Sequence, residues 1–239
     1  MCDTDKCVES RDATLSVIVP AYNEEAYIGQ ILEKLLAEPT PKEIVVVDDG
    51  SKDRTAEIVQ TFADRGVRLI RHERNRGKGA AIHTGLRRAR GRFVIIQDAD
   101  LEYDPRDFPA VLAPLLEGRA EVVYGSRNMT RNPRVSQLFY WGGRAVTFVA
   151  NLLYGSHLTD EATCYKAMKR ELMQSLHLQS RGFGFCPEVT GKLLRRGTRI
   201  VEVPIRYSPR SLREGKKIKA RDGIVAVLIL LWYRFFERP

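Results

Sequence analysis

The sequence predicts an α/β protein built on a single doubly wound, mostly parallel sheet with helices on both faces. Runs of β-branched residues alternate with segments of helical periodicity through the first half of the chain, which is typical of βαβ units. Two of these runs, residues 44–47 and 93–96, are unbroken and apolar, as expected for strands buried on both faces. Each run leads into a pair of acids, Asp48–Asp49 and Asp98–Asp100, at the carboxyl edge where open α/β sheets bind ligands.

The remaining elements follow from the spacing of apolar residues along the chain. The first strand covers residues 15–20, and the helix after it opens at residues 23–25 and continues with apolar residues at helical spacing. A glycine-rich turn at residues 75–79 precedes another helix. Further strands are predicted at 44–47, 67–70, 93–96, 121–125 and 200–203, and further helices after Asp53 and over 80–89, 105–116, 137–154 and 188–196.

Length and composition indicate one sizeable domain with a C-terminal appendage. The chain has 239 residues, of which 44% are hydrophobic, enough to fill a core. We expect a polar tail over residues 1–13, a domain over 14–222 and a terminal helix over 223–239. The tail lacks the apolar segment of a signal peptide. The four cysteines show no close pairing, which argues against a disulfide framework or a cysteine metal site and favours a reducing compartment.

The net charge of +9 indicates anionic partners, such as a nucleotide, a phosphate group, nucleic acid or an acidic membrane surface. No recognised reader motif for nucleic acid occurs, so we do not expect a nucleic-acid partner. Lys78 is followed by Gly79 and not by the Ser or Thr of a Walker P-loop, and the first strand lacks the glycines of a dinucleotide fingerprint. A nucleotide would therefore be bound with another geometry.

The acids at the strand ends suit a nucleotide diphosphate in a different way. Asp48 and Asp49 could accept hydrogen bonds from a base or ribose, and Tyr22 could stack on the base. Asp98 and Asp100 could hold a divalent cation against the diphosphate, because two neighbouring carboxylates become favourable around a hard cation. The alternative is that these Asp residues simply end their strands by forming turns.

Short motifs occur in a fixed order along the chain. They are Val19-Pro20-Ala21-Tyr22-Asn23-Glu24, Val47-Asp48-Asp49-Gly50-Ser51 with Asp53, Gly77-Lys78-Gly79, Asp98-Ala99-Asp100, Gly125-Ser126-Arg127, Thr159-Asp160 with Thr163-Cys164-Tyr165-Lys166, Val203-Pro204-Ile205 with Arg210, and Glu214-Gly215-Lys216-Lys217-Ile218. The ordered set resembles family 2 glycosyltransferases over about residues 14–222. More narrowly, it resembles the dolichyl-phosphate mannose synthase branch and its bacterial and archaeal polyprenyl-phosphate relatives.

The resemblance implies a GT-A nucleotide-diphospho-sugar transferase fold and a metal-dependent, inverting enzyme. It would transfer one sugar, mannose or glucose, from a GDP- or UDP-linked donor to a dolichyl or undecaprenyl phosphate, with Mg²⁺ or Mn²⁺ as cofactor. Alternatives are a family 2 enzyme acting on another acceptor in cell-surface polysaccharide or glycolipid assembly, a sugar nucleotidyltransferase, and a non-catalytic sugar-nucleotide-binding protein. A polymerising synthase is not expected, because neither tryptophan lies in a Gln-x-x-Arg-Trp segment.

The resemblance also assigns roles to individual residues. The catalytic residues would be Asp100, Asp160 and Arg127. The metal ligands would be Asp98, Asp100 and Glu102, where Glu102 replaces a Gln that is common in dolichyl-mannose members. The donor would be bound by Pro20, Tyr22, Glu24, Val47, Asp49, Lys78, Asp98, Ala99, Arg210 and Lys216.

Two interpretations of Asp160 stay open. A phosphate monoester has a second pKa of about 6, so this nucleophile is largely dianionic at neutral pH and hardly needs a general base. Asp160 could act as a base or positioning group near the acceptor, or Thr159 and Asp160 could form a helix cap. Residues 138–141 are aromatic where eukaryotic-like relatives place basic residues. The candidates for binding the acceptor phosphate are Arg131, Arg134 and Arg144.

The C-terminal segment predicts peripheral or monotopic attachment to the cytoplasmic face of a membrane. Seven Lys or Arg residues accompany the single acid Glu214 between Arg206 and Arg221, and an apolar run follows at 224–233. Ten residues cannot cross a bilayer core that needs ~20, so they would lie in the interface. The alternative is a buried core helix. The expected partners therefore include a polyprenyl phosphate lipid, an anionic membrane surface and a membrane protein.

Overall fold

The computed structural model describes residues 14–210 and 217–236, which form one mixed sheet together with helices. The strands are β1 (Leu15–Ala21), β2 (Lys42–Asp48), β3 (Val67–Arg71), β4 (Phe93–Ile96), β5 (Val122–Ser126), β6 (Lys166–Lys169) and β7 (Ile200–Pro204). The helices are α1 (Ile28–Ala37), α2 (Thr55–Gln60), α3 (Lys78–Arg88), α4 (Phe108–Leu116), α5 (Gln137–Tyr154), α6 (Arg170–Ser175), α7 (Phe185–Arg195) and α8 (Ala220–Phe235).

The predicted mostly parallel α/β sheet is confirmed, with one reversed strand. The strands lie in the order β3-β2-β1-β4-β6-β5-β7. The pairs β1–β2, β1–β4, β2–β3 and β5–β7 are parallel, whereas β6 runs antiparallel to both β4 and β5. The sequence pattern does not predict β6, because this strand has only four residues and begins and ends with a lysine.

The turn at residues 22–27 precedes α1 and fixes the end of β1. The apolar spacing predicts a helix that opens at residues 23–25, but Asn23 has a φ of 49° and α1 begins only after the turn. Polar side chains before and within α2 hold the turn, since the Asn23 N–H donates to Ser51 Oγ (2.9 Å) and the Glu24 N–H donates to Thr55 Oγ1 (2.8 Å). These bonds tie the end of β1 to the segment that follows β2.

Helix α8 has one buried side and one exposed side. It packs against α5 and α7, where Leu230 and Tyr233 are buried. On the other side, Trp232 and Phe235 are 57% and 64% exposed. None of the described helices is both long enough and apolar enough to cross a membrane. The core-helix alternative therefore holds for one side of α8, and the membrane-surface interpretation stays a prediction for the exposed side.

Helix α3 approaches β1 closely because Gly85 has no side chain. An added Cβ at Gly85 would lie 2.4 Å from Ile18 Cγ2, whereas at Gly29 in α1 it would lie 3.5 Å from Ile58 Cγ2, an ordinary contact. We therefore expect Gly85→Ala to lower the free energy of unfolding by about 1–3 kcal/mol, the usual cost of overpacking. Gly29→Ala is the matched control and should be neutral or slightly stabilising, because Ala favours helix. Denaturant unfolding measures both variants, and equal stabilities would contradict the close packing.

Candidate active site

The ends of β1, β2 and β4 open into one cleft of about 1290 Å³. The strand order explains this convergence, because β1 lies between β2 and β4 and pairs in parallel with both. Most of the predicted site residues line the cleft: Pro20, Tyr22, Glu24, Asp49, Lys78, Asp98, Ala99, Asp100, Glu102, Arg127, Asp160 and Arg210.

One predicted donor-binding residue is placed differently. Val47 is fully buried in β2 and packs with Val45 and Ala81, so its side chain does not reach the cleft. The reason is that a valine within a strand covered on both faces is a core residue, and only its backbone could contact a ligand. Lys216 lies outside the described residues.

Asp49 holds the glycine-rich turn that leads into α3. Its carboxylate accepts the N–H groups of Arg76 (2.9 Å) and Gly77 (2.7 Å) and lies 2.7 Å from His72 Nδ1. Because a carboxylate only accepts, Nδ1 carries a proton, and in the neutral imidazole Nε2 then accepts from the Thr84 hydroxyl at 3.0 Å. Asp49 therefore lines the cleft and also fixes the position of the turn.

Asp48 matches the turn-forming alternative. This residue is fully buried, and its carboxylate accepts the Ser51 N–H (3.1 Å) and lies 3.2 Å from Arg71 Nε. The Asp48 carbonyl accepts the N–H of His72 at 2.9 Å, which places His72 beside Asp48 and Asp49. No motif singles out His72. The sequence feature that could have identified His72 is its position directly after β3, a strand that neighbours β2 in the sheet.

Lys78 supplies the cation beside Asp98. Its Nζ lies 2.5 Å from Asp98 Oδ1 and 3.7 Å from Cys164 Sγ. Burial by itself would raise the pKa of Asp98, but the ammonium group of Lys78 outweighs burial and holds that pKa below its usual value. Asp98 is therefore ionised at neutral pH, and Lys78 is positioned to exchange a carboxylate for a phosphate.

Arg210 lies between two acids. Its Nη2 is 2.6 Å from Asp100 Oδ2, and its Nη1 is 3.1 Å from Glu24 Oε2. Burial, together with the charges of Asp98 and Glu102, raises the pKa of Asp100 to about 7. A carboxyl group that resists ionisation because of like charges is one that a nearby cation would stabilise.

Glu102, the predicted third metal ligand, is directed toward residues 207–210. Its Oε2 accepts the Tyr207 hydroxyl at 2.7 Å, and its Oε1 accepts the Arg210 N–H at 2.7 Å. Its carbonyl accepts the N–H of Ser208 at 2.8 Å. Glu102 thereby holds the backbone of Arg210 beside Asp100, and its role as a metal ligand stays a prediction.

The acids after β4 fit a hard divalent cation that is shared with a ligand. Within the part of the chain that the structure describes, no group of three or more His, Cys, Asp and Glu side chains is arranged to hold a metal ion. Asp98 and Asp100 nevertheless provide the carboxylate oxygens that Mg²⁺ and Mn²⁺ prefer. A cation of this kind is commonly held by one or two carboxylates and completed by substrate phosphates and water.

Lys217 is a second cation on Glu24. Its Nζ lies 2.6 Å from Glu24 Oε1 and also donates to the carbonyl of Tyr22. The carboxylate of Glu24 therefore bridges Arg210 and Lys217. The sequence places Lys217 in the same motif as the predicted Lys216, but it does not show which of the two neighbouring lysines reaches the cleft.

Arg127 and Asp160 form a bidentate ion pair. Arg127 Nε and Nη2 lie 2.7 Å from the two carboxylate oxygens, and the Arg127 N–H donates to Oδ2 at 2.9 Å. Glu202 of β7 supports the pair by accepting the N–H groups of Thr159 (2.6 Å) and Asp160 (2.9 Å). The helix-cap interpretation is wrong, because strand β6 follows this loop. Asp160 neutralises and orients a guanidinium group.

Glu161 and Lys166 form a buried pair behind Asp160, and the motif that contains Lys166 does not indicate this pairing. Burial raises the pKa of Glu161, and Lys166 Nζ, 4.0 Å from Glu161 Oε1, only partly opposes it. The same ammonium donates to the Glu161 carbonyl at 2.6 Å and lies 3.7 Å from the centre of the Tyr124 ring. The short strand β6 is what brings Lys166 beneath the cleft.

Comparison with known proteins shows the family of the chain. The pattern of the family described as "Glycosyl transferase family 2" matches residues 16–176. A Methanocaldococcus jannaschii protein named "Uncharacterized protein MJ1222" is 33% identical over 90% of each chain. The undecaprenyl-phosphate mannosyltransferase of Micrococcus luteus is 30% identical over 90% of this chain and 92% of that protein.

A solved structure shows the same fold. Glucosyl-3-phosphoglycerate synthase from Mycobacterium tuberculosis, in complex with Mn²⁺, uridine diphosphate and glucosyl-3-phosphoglycerate, superposes with a TM-score of 0.73. The match covers 95% of this chain and 81% of that chain at 22% sequence identity. The likeness confirms the GT-A fold predicted from the motifs.

The part-buried ion pair predicts that Asp160 stabilises the fold. Asp160→Asn leaves the guanidinium of Arg127 without its counter-charge, so we expect a loss of about 2–3 kcal/mol in the free energy of unfolding, as for hydrogen bonds to charged groups. The control is Glu33→Gln, because Glu33 forms an equally bidentate pair with Arg65 (2.6 and 2.8 Å) that is exposed to solvent. Thermal denaturation should separate the two variants. Equal melting temperatures would show that the Asp160 pair stabilises the folded domain no more than the exposed Glu33 pair does.

Proposed function

Because the chain belongs to glycosyl transferase family 2, we propose that it transfers one sugar, with inversion, from a nucleotide diphosphate sugar to a polyprenyl phosphate. The proposal depends on the shape of the cleft, which continues from the acids at the strand ends to an apolar mouth formed by α5 and the start of α8. The mouth is lined by Leu138, Phe139, Tyr140, Val146, Ile218 and Ala226. A charged donor and a lipid acceptor can therefore meet in one cavity, as in the reaction named for the Micrococcus luteus relative.

The donor side of the cleft provides charges for a diphosphate. Asp98 and Asp100 would hold Mg²⁺ or Mn²⁺, which stabilises the negative charge that develops on the leaving nucleoside diphosphate. Lys78 and Arg210 contribute the same stabilisation from fixed positions beside these acids. Lys78 and Arg210 each have a carboxylate partner. When the donor binds, a phosphate takes the place of that carboxylate beside each basic side chain, so no buried charge is left unpaired. The sugar is mannose or glucose, carried on GDP or UDP.

The acceptor side needs a cation more than it needs a base. The nucleophile is a phosphate oxygen of the lipid, which is largely deprotonated at neutral pH because the second pKa of a phosphate monoester is about 6. Arg127 lines the cleft and presents the guanidinium group that attracts this phosphate. Asp160 keeps that guanidinium in place. Attack on the sugar carbon from the side opposite the diphosphate then gives inversion.

The outer sides of α5 and α8 suit a membrane surface. The two helices pack together and expose large apolar side chains: Leu138, Trp141, Phe148 and Leu152 on α5, and Ile224, Leu228, Trp232 and Phe235 on α8. Basic residues line the cleft at the same end of these helices, among them Arg131, Arg134, Lys219 and Arg221. Apolar and basic residues in this arrangement favour the interface of an anionic bilayer. The protein would lie on the cytoplasmic face of the membrane, where a lipid phosphate can enter the mouth.

The cation role predicts the behaviour of Asp100. Asp100→Asn should abolish transfer to a short polyprenyl phosphate, because it removes a charged ligand for Mg²⁺ or Mn²⁺, and EDTA should inhibit the parent protein reversibly. Asp104→Asn is the control, since Asp104 pairs with the exposed Arg106 and its loss should leave the rate unchanged. A panel of GDP- and UDP-sugars should release nucleoside diphosphate. Release of pyrophosphate, or full activity in metal-free buffer, would contradict the proposal.

The membrane role predicts the effect of the exposed side of α8. Trp232→Ser combined with Phe235→Ser should lower binding to anionic vesicles at least about 10-fold, because each exposed aromatic side chain contributes apolar area to the interface. Leu116→Ser is the control, since Leu116 on α4 is 54% exposed. Co-sedimentation at low and high salt measures the binding, and screening should weaken it. Equal binding by the double variant and the control would contradict attachment through α8.

A further inference from the structure

Glu188 is a fully buried acid in the first turn of α7, behind the donor side of the cleft. Its carboxylate accepts four hydrogen bonds. Burial by itself would raise the pKa of Glu188, but these bonds outweigh burial and lower it. The donors are the N–H of Gln179 (2.7 Å), the N–H of Ser180 (2.7 Å), the hydroxyl of Tyr233 (2.8 Å) and the ammonium of Lys192 (3.0 Å). A buried carboxylate with this many donors fixes the backbone that supplies them.

The backbone that Glu188 fixes lies directly against the glycine-rich turn. The carbonyl of Arg181 accepts the N–H of Ala80 at 3.0 Å. An added Cβ would lie 2.4 Å from the Arg181 carbonyl oxygen at Gly77 and 2.1 Å from the Ser180 carbonyl oxygen at Gly79. The turn therefore rests on residues 180–181 with no room for a side chain. Lys78, between the two glycines, takes its position from this contact.

Residues of α8 also contact Glu188 and Gly184. Besides the hydroxyl that Tyr233 donates to Glu188, its carbonyl accepts from Arg195 Nη1 at 2.7 Å. Ile229 of α8 lies against Gly184, where an added Cβ would be 2.5 Å from Ile229 Cδ1. One continuous set of contacts thus runs from α8 through Glu188 to the turn that carries Lys78.

We propose that Glu188 is a positioning residue for donor binding, and that Tyr233 makes this positioning depend on α8. Glu188 holds residues 179–181, these hold the turn, and the turn holds Lys78 beside Asp98. The proposal rests on the proposed function, because it assigns the diphosphate of the donor to Lys78. It extends that function, because the helix proposed to contact the membrane also sets the donor site.

Tyr233→Phe tests the link with the smallest change. It removes only the hydroxyl, so we expect the KM for the nucleotide sugar to rise about 5-fold with little change in kcat, since a hydrogen bond to a charged group is lost. Tyr154→Phe is the matched control. The Tyr154 hydroxyl donates to the carbonyl of Leu230 (2.8 Å), so this variant also removes a hydrogen bond to α8 but does not involve Glu188.

Glu188→Gln tests the positioning residue itself. An amide cannot accept at both of its ends, so its NH₂ group would face a backbone N–H and displace residues 179–180. We expect the KM for the donor to rise about 20-fold, with a smaller change in kcat and in the KM for the lipid acceptor. Equal changes in donor and acceptor KM, or in kcat alone, would indicate a general structural defect and overturn the proposal.

Hydrogen exchange of residues 177–184 gives a readout that does not depend on any substrate. In Tyr233→Phe the amides of this segment and of residues 77–80 should exchange faster than in Tyr154→Phe at equal thermal stability, because the anchor of the segment is weakened. Unchanged exchange in Tyr233→Phe would overturn the proposal. Faster exchange in a protein that binds neither GDP nor UDP with Mn²⁺ would retain the positioning contact and reject the proposed function.

Discussion

The site depends on neutralising the negative charge of the acids that parallel strands bring to one edge of the sheet. Glu24 follows β1, Asp49 follows β2, and Asp98 and Asp100 follow β4, so four carboxylates converge on the cleft. Buried carboxylates this close would repel one another unless donors or cations lay between them. The described residues meet this requirement with basic side chains on three of the acids and with His72 and two backbone N–H groups on Asp49.

This balance also suits the cleft to the donor that we propose for it. A nucleotide diphosphate with its divalent cation brings charges of both signs, so it can take over partners on both sides of the existing pairs. In the proposed function, the acids would then hold the cation, and the released ammonium and guanidinium groups would hold the phosphates. The folded domain and the liganded site would therefore use the same charged groups, and little charge would have to be desolvated again when the donor binds.

Most of the fold could be predicted because it depends on local patterns. The buried strands are continuous apolar runs, and the buried positions of α1, Ile28, Ile31, Leu32 and Leu35, repeat at helical spacing. Strand β6 could not be predicted, because its pairing with β4 and β5 depends on partners far away in the chain. The start of α1 was predicted too early, because hydrogen bonds to Ser51 and Thr55 hold residues 23–24 in a turn that the polar residues alone do not reveal.

The candidate site shows the same division between local and distant information. The residue types at the strand ends are visible in the sequence, but their partners are not. Arg210 meets Glu24 across 186 positions of the chain, and nothing in either segment indicates this pair. Val47 is the reverse case, because it belongs to a motif but its strand buries it. Motif membership therefore identifies the neighbourhood of the ligand, and only the packing shows which side chains face it.

Helix α8 shows why one segment supported two interpretations. Its apolar run is continuous, since one side meets α5 and α7 and the other side is exposed, and a run with no polar stripe does not show which side is which. The buried Leu230 and Tyr233 make α8 part of the folded domain, whereas Trp232 and Phe235 form its exposed side. Removing the whole segment would therefore disturb the core and the Glu188 contacts along with any membrane contact. Substitutions on the exposed side alone separate attachment from the positioning of the donor site.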